Sequence, residues 1–153
     1  MTRKSASNAN GLGDFLCFAV YSANLAFGRV YRPILDKLGL TYTQYVTLVA
    51  LGEEDDQRVG DLGDKLFLES NTLTPILKKL EQMGYVRRQR DPADERQVRL
   101  SLTAAGRKLL EKDLGAPLIE ATGLGEDFPA VQKTVSKLRD NLLRAGAGKP
   151  EKT

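Results

Sequence analysis

The sequence predicts a mainly α-helical fold that carries one small β-hairpin. Three observations lead there. Apolar residues recur at alternating spacings of three and four along most of the chain. One segment, Tyr85 to Leu102, switches to a period of two around an Asp- and Pro-containing turn. The 153 residues amount to one domain's length, enough for a hydrophobic core without disulfide staples.

The first helix is expected from Asp14 to Lys37, with Phe15, Phe18, Ala19, Ser22, Leu25, Ala26, Val30 and Ile34 on one stripe. Asp14 suits the N-cap and Gly39 the left-handed C-terminal position. Pro33 should kink this helix or split off its last turn. A second helix runs from about Thr43 to Glu53. The acidic run Glu53-Glu54-Asp55-Asp56 then reads as a solvated loop, and Arg58-Val59 as a short strand. A third helix lies near Val59 to Phe67. A fourth starts near Ser70, turns Leu73, Ile76, Leu77, Leu80 and Met83 inward, and stops at Gly84. Pro75 lacks an amide donor, which places the N-cap near Asn71 or Thr72 so that the proline falls in the first turn. Two strands follow, Tyr85 to Arg90 and Gln97 to Leu102, joined by the turn Asp91 to Arg96. Thr103 caps a fifth helix reaching Ile119 or Glu120, and a sixth runs from Phe128 to Arg144.

Absences narrow the chemistry. The chain has no His, no Trp and one Cys, Cys17. Imidazole metal sites, Ser-His-Asp triads and imidazole general bases are therefore excluded. So are an intrachain disulfide and a thiolate zinc cluster within one chain. No metal, no cofactor and no enzymatic activity are expected. The first dozen residues, rich in Ser, Asn and Gly, lack the apolar run of a signal peptide. No stretch approaches the ~18 apolar residues of a membrane span. The expectation is a soluble cytoplasmic protein with a reduced thiol and no membrane partner.

The net charge of +3 conceals an uneven distribution. Ser70 to Lys108 holds nine basic and four acidic residues, net +5, which leaves fourteen basic and sixteen acidic elsewhere, net −2. A basic segment of this kind is a footprint for a polyanion. Within it, a short helix, a tight turn and a second helix with a polar outer face make a helix-turn-helix. The hairpin behind it completes a winged helix. Ser70, Asn71, Thr72, Thr74, Lys78 and Lys79 lie on the outer face, where hydroxyls and amides read base edges and lysines pair with phosphates. Arg96 at the turn tip can enter a narrow minor groove. A polar helix face taken alone is usually just solvated. The order of these elements inside one +5 segment points instead to double-stranded DNA.

The same residues resemble the MarR family of winged-helix transcription regulators, over about Phe15 to Leu110. Leu73-Thr74-Pro75-Ile76-Leu77-Lys78-Lys79-Leu80-Glu81 looks like that family's recognition helix, Pro75 included. Gly84-Tyr85-Val86-Arg87-Arg88 resembles the entry to its wing, with Arg88 at the DNA side. Asp91-Pro92-Ala93-Asp94-Glu95-Arg96 is similar to the wing tip and Leu102-Thr103-Ala104-Ala105-Gly106 to its exit. The resemblance implies a homodimer on an inverted-repeat operator, with Asp94 orienting Arg96. It divides the chain into tails 1–13 and 145–153 around one domain, 14–144. In that domain 43–103 reads DNA, and helices 14–38 and 103–144 dimerise.

One branch of the family resembles the chain more closely. Leu16-Cys17-Phe18-Ala19-Val20-Tyr21-Ser22-Ala23, Tyr31-Arg32-Pro33-Ile34-Leu35 and Leu40-Thr41-Tyr42-Thr43-Gln44-Tyr45 look like the organic hydroperoxide resistance regulators (OhrR). There the thiol at the position of Cys17 senses peroxide, and tyrosines at those of Tyr31 and Tyr42 reach its sulfur from the partner subunit. The residues' own chemistry agrees. With Asp14 as N-cap, Cys17 is at the third helical position, where free amides and the helix dipole favour an anion. The Asp14 carboxylate opposes that effect. Phe15, Leu16, Phe18 and Tyr21 make an apolar lining for a greasy hydroperoxide. Without a second cysteine the chain resembles the one-cysteine type, whose sulfenic acid is capped by a low-molecular-weight thiol or oxidised further. A repressor induced by a phenolic or drug-like ligand, with Cys17 as packing only, is the alternative.

Overall fold

A computed structural model describes residues 11–147, so the two expected tails fall largely outside the described residues. Two compact units divide between Asp113 and Leu114. The first contains α1 (Leu16–Asp36), α2 (Tyr42–Glu53), β1 (Gln57–Arg58), α3 (Val59–Leu66), α4 (Ser70–Gln82), β2 (Val86–Arg90), β3 (Val98–Leu102) and α5 (Ala104–Leu110). The second contains α6 (Gly115–Ala121) and α7 (Phe128–Ala147).

Several boundaries differ from the sequence reading, each for a local reason. Asp14 does not cap α1. It closes a 3-10 turn, Leu12–Asp14, and Phe15 is the N-cap. Cys17 is therefore the second helical residue, not the third. Pro33 does not split α1, because it sits three residues before the helix end and removes only one donor in the last turns. Gly39 does take the left-handed conformation, with φ +67°. The second helix starts one residue early, held by a capping box in which the Thr41 hydroxyl accepts from Gln44 N–H at 3.2 Å and the Gln44 side chain accepts from Thr41 N–H at 2.9 Å. The short strand is Gln57–Arg58, shifted one residue back, since Val59 already begins α3.

In α4 the N-cap is Glu69, which puts Pro75 at the sixth helical residue and out of the first turn. Burial of Leu73, Leu77 and Leu80 outweighs the one hydrogen bond that the proline forgoes. The expected long fifth helix is two. Its first part stops at Leu110 and α6 starts at Gly115. Pro117 cannot donate back to Asp113 and Gly115 is a poor helix former, so the helix does not run on through residues 111–114 and α6 starts afresh at Gly115. The last helix continues past Arg144 to Ala147.

The core of the first unit is leucine-rich. Leu48 and Leu51 from α2, Leu62 from α3, Leu73, Leu77 and Leu80 from α4, and Leu100 from β3 are fully buried. The three strands form an antiparallel sheet in the order β1-β3-β2. The hairpin register pairs Val86 with Leu102 and Arg90 with Val98, and the short strand pairs Arg58 with Arg99. Val86, Leu100 and Leu102 therefore point inward while Arg87 and Gln89 stay outside. Close backbone approach sets two glycines. A Cβ on Gly63 meets the Leu68 carbonyl at 2.7 Å in the turn between α3 and α4, and one on Gly106 collides with the Tyr85 carbonyl. Neither partner can yield, because both are backbone.

Gly106→Ala is accordingly expected to destabilise the protein by roughly 1–3 kcal/mol in urea unfolding. Gly60→Ala, where a Cβ meets open space in the first turn of α3, is expected to be neutral or slightly stabilising.

Candidate functional site

The recognition surface starts from the roll of α4. With Leu73, Leu77 and Leu80 buried, Ser70, Asn71, Thr72, Pro75, Lys78 and Lys79 face solvent, and Thr74 is half-buried. The Thr74 hydroxyl donates to the Ser70 carbonyl at 2.7 Å, which holds both groups in the first turns. A turn at Phe67, in the left-handed region at φ +58°, sets α3 against α4. Such a φ is uncommon for a bulky residue. Its N–H and that of Leu68 close the end of α3 on the Asp64 and Gly63 carbonyls.

A cavity of about 450 Å³ opens between α3, the start of α4 and the hairpin. It brings together Ser70 and Thr74 from α4, Arg88 from β2 and Arg96 from the tip, four of the residues singled out in the sequence. Arg58, Asp61 and Gln97 also line it, and they were not anticipated. Arg58 gave no local signal because its place depends on β1 pairing with β3. Asn71, Thr72, Lys78 and Lys79 do not line this cavity; they lie along the exposed face of α4.

At the hairpin tip, the Asp91 carboxylate accepts from Ala93 N–H at 2.9 Å, and Asp94 accepts from Arg96 N–H at 3.1 Å. Asp94 thus fixes the backbone of Arg96, whose guanidinium has no partner acid among the described residues. Of the nine basic residues in the +5 segment, three are engaged: Arg88 with Glu81 at 3.6 Å, Arg99 with Asp56 at 2.7 Å, and Arg107 with Asp55 at 3.3 Å. Among the described residues no acid pairs with the other six, Lys78, Lys79, Arg87, Arg90, Arg96 and Lys108, five of which lie on α4 or the wing. The unneutralised charge is therefore concentrated on α4 and the wing, as a polyanion interface requires.

The second cluster lies on α1. Cys17 is an exposed free thiol. Phe15, Leu16, Phe18 and Tyr21 around it are all exposed, with the Phe18 and Tyr21 rings 6.5 Å apart. Tyr31 and Tyr42 sit elsewhere and stack on each other, with centroids 4.4 Å apart and planes inclined by 19°. Burial, then the neighbouring Tyr31, pushes the Tyr42 phenol above its ordinary value, so that it remains a hydrogen-bond donor. Tyr31 follows Cys17 by fourteen residues on one helix, about 21 Å at 1.5 Å per residue. Within a single chain the tyrosine pair and the sulfur are therefore apart.

This arrangement is a winged helix-turn-helix with a basic reading face, and the chain matches the family model described as transcriptional regulator SarA/Rot over residues 29–112. The chain belongs to the SarA/MarR class of winged-helix transcriptional regulators. It is 50% identical over 151 residues to the HTH-type transcriptional regulator TtmR of Methylorubrum extorquens, covering 96% of this chain and 77% of that one. It is 39% identical over 134 residues to the organic hydroperoxide resistance transcriptional regulator of Bacillus subtilis, covering 86% and 91%. Among solved structures, reduced AbfR bound to DNA, a Staphylococcus epidermidis protein, aligns with TM-score 0.77 and 34% identity over 88% of this chain and 94% of that one. The chain is thus a DNA-binding transcriptional regulator of a non-enzymatic family. Among the described residues no helix is long and apolar enough to cross a membrane.

Two measurements test the interface. Arg96→Ala is expected to weaken binding of duplex DNA by about 1–3 kcal/mol. Lys78→Ala is expected to lower the log–log salt slope of binding by about 0.9, one phosphate contact's worth. An unchanged slope removes Lys78 from the phosphate contacts.

Proposed function

We propose that the chain is a homodimeric repressor that holds an inverted-repeat operator while reduced and releases it when an organic hydroperoxide oxidises Cys17. The observation that carries this reading is an exposed thiol in the first turn of a helix whose apolar stripe has no cover within its own unit. Leu25 and Val30 of that stripe are exposed, as are Val20 and Phe27 beside it, and only Leu35 of α1 is buried. In the second unit α7 likewise leaves Val131, Val135, Leu142 and Leu143 exposed. Apolar faces of this extent are characteristic of association, and a two-fold arrangement covers each with its own copy. A partner's Tyr31–Tyr42 pair can then reach the sulfur that this chain's pair cannot. The phenols serve as donors to it.

The chemistry is a two-electron oxygen transfer. The Cys17 sulfur attacks the distal peroxide oxygen, the O–O bond breaks and an S–O bond forms. The departing alkoxide takes a proton and leaves as an alcohol, and Cys17 becomes a sulfenic acid. A low-molecular-weight thiol then condenses with it, giving a mixed disulfide and water. Either product breaks the tyrosine bonds and enlarges the side chain at the dimer seam. A hundredfold loss of DNA affinity requires only about 2.8 kcal/mol of difference between the two dimer states. The name of one relative, an organic hydroperoxide resistance regulator, supports this reading. A second, AbfR, is known in reduced, disulfide-formed and overoxidised states, which supports redox chemistry but, with the overoxidised form also bound to DNA, not the release step.

Cumene hydroperoxide is expected to release DNA from the reduced wild-type protein and to leave Cys17→Ser bound, in a fluorescence-anisotropy titration. Equal release from both proteins sinks the sensor assignment. Release of Cys17→Ser by a phenolic ligand favours the non-covalent alternative.

A further inference from the structure

We infer that Asp56 and Arg99 act as a positioning pair that sets the wing against the recognition helix, so that Arg99, although basic and part of the wing, is not a DNA contact. The observation is a long-range clamp. The Arg99 guanidinium donates to the two Asp56 carboxylate oxygens at 2.9 and 2.7 Å, across 43 residues of sequence. Its remaining nitrogen lies 3.7 Å from the Asp91 carboxylate. Asp91 is buried and organises the wing tip through Ala93 N–H. One side chain therefore joins the loop after α2 to the turn that carries Arg96.

The loop end of this clamp is rigid. Gln57, next to Asp56, is buried, and its amide donates to the Ala50 and Glu54 carbonyls at 2.8 and 2.6 Å. Asp56 itself is held at φ +57°, a left-handed conformation in which Asp and Asn are the most tolerated residues after Gly. The wing end is weak by comparison. A two-stranded ribbon has little stability or fixed direction of its own, and beyond Val98 the tip has no other element against it in the sheet order. The cross-strand partner of Arg99 is Arg58, and like charges directly opposite each other repel. The two carboxylates neutralise that repulsion. A bidentate carboxylate–guanidinium pair fixes direction as well as distance, and direction is what Arg96 needs to meet a groove at the same time as α4.

The sign of one substitution separates this role from the general effect of charge. D56N keeps the left-handed backbone and removes a negative charge, which by electrostatics alone tightens binding to DNA. As a loss of positioning it weakens binding to a specific site only. The probe is a duplex of roughly 30 base pairs, long enough for two half-sites, selected from a random library by the reduced wild-type protein. A scrambled duplex of the same composition serves as the non-specific reference. D56N is expected to lose on the order of tenfold in affinity for the selected duplex, about 1.4 kcal/mol, with no loss for the scrambled one. R99M is expected to lose a similar factor while shifting the salt slope by well under the ~0.9 of a lost phosphate contact. The double variant is expected to be no weaker than R99M, because both changes break one interaction. The inference is overturned if D56N binds the selected duplex as tightly as wild type or tighter, if it loses affinity equally for both duplexes, or if R99M loses a full contact's worth of slope. None of these results depends on the redox reading, since every measurement uses reduced protein.

Discussion

Everything on the DNA-facing side depends on the burial of one stripe of α4. Leu73, Leu77 and Leu80 are buried together with Leu48 and Leu51 of α2, Leu62 of α3 and Leu100 of β3, with essentially no solvent access. Burying a leucine side chain is worth roughly 1.5–3 kcal/mol. Turning the helix by a single residue, about 100°, exposes several of them together. The roll of α4 is therefore not adjustable, and the residues it presents to solvent follow from it. The wing hangs on the same core through Val86, Leu100 and Leu102, so helix and hairpin share one foundation.

The helices α1 and α7 solve the burial problem differently. Each has an amphipathic stripe as regular as that of α4, yet most of it is open in a single chain. A protein that hides one stripe internally and leaves others exposed divides its stability between folding and association. In the proposed dimer the sensor thiol lies at the start of the associating helix α1, and the reading face lies on the internally packed part. Under that proposal, chemistry at Cys17 acts on the spacing of two reading heads rather than on the packed core of either one.

Charge placement shows a similar division of labour. The acidic run after α2 looks solvated along the chain, but its members hold separate elements. Glu53 and Glu54 approach Lys65 of α3, Asp55 approaches Arg107 of α5, and Asp56 grips Arg99 of β3. Exposed pairs of this kind each contribute little stability. Their larger effect is subtraction. They neutralise Arg99 and Arg107 of the basic segment, while the lysines of α4 and Arg87, Arg90 and Arg96 of the wing have no partner acid among the described residues.

How far the chain could be read in advance follows from the range of each interaction. The helical stripes, the period-two strands, the reading helix and the lone thiol all came from neighbours within a few residues, and the motif residues from short runs. The misplaced boundaries have different causes: a 3-10 turn ending at Asp14 made Phe15 the cap, three buried leucines carried Pro75 into the second turn of α4, and the backbone of Gly115 and Pro117 kept the long helix from running on. The pairing of Asp56 with Arg99, the entry of Arg58 into the DNA-side cavity and the stacking of Tyr31 on Tyr42 leave no periodic trace. They join residues far apart along the chain, and backbone folding alone brings them within a few ångströms. Local hydrogen bonding and apolar spacing thus specify which elements form. The closure of distant contacts settles which charges stay free and which apolar faces remain open.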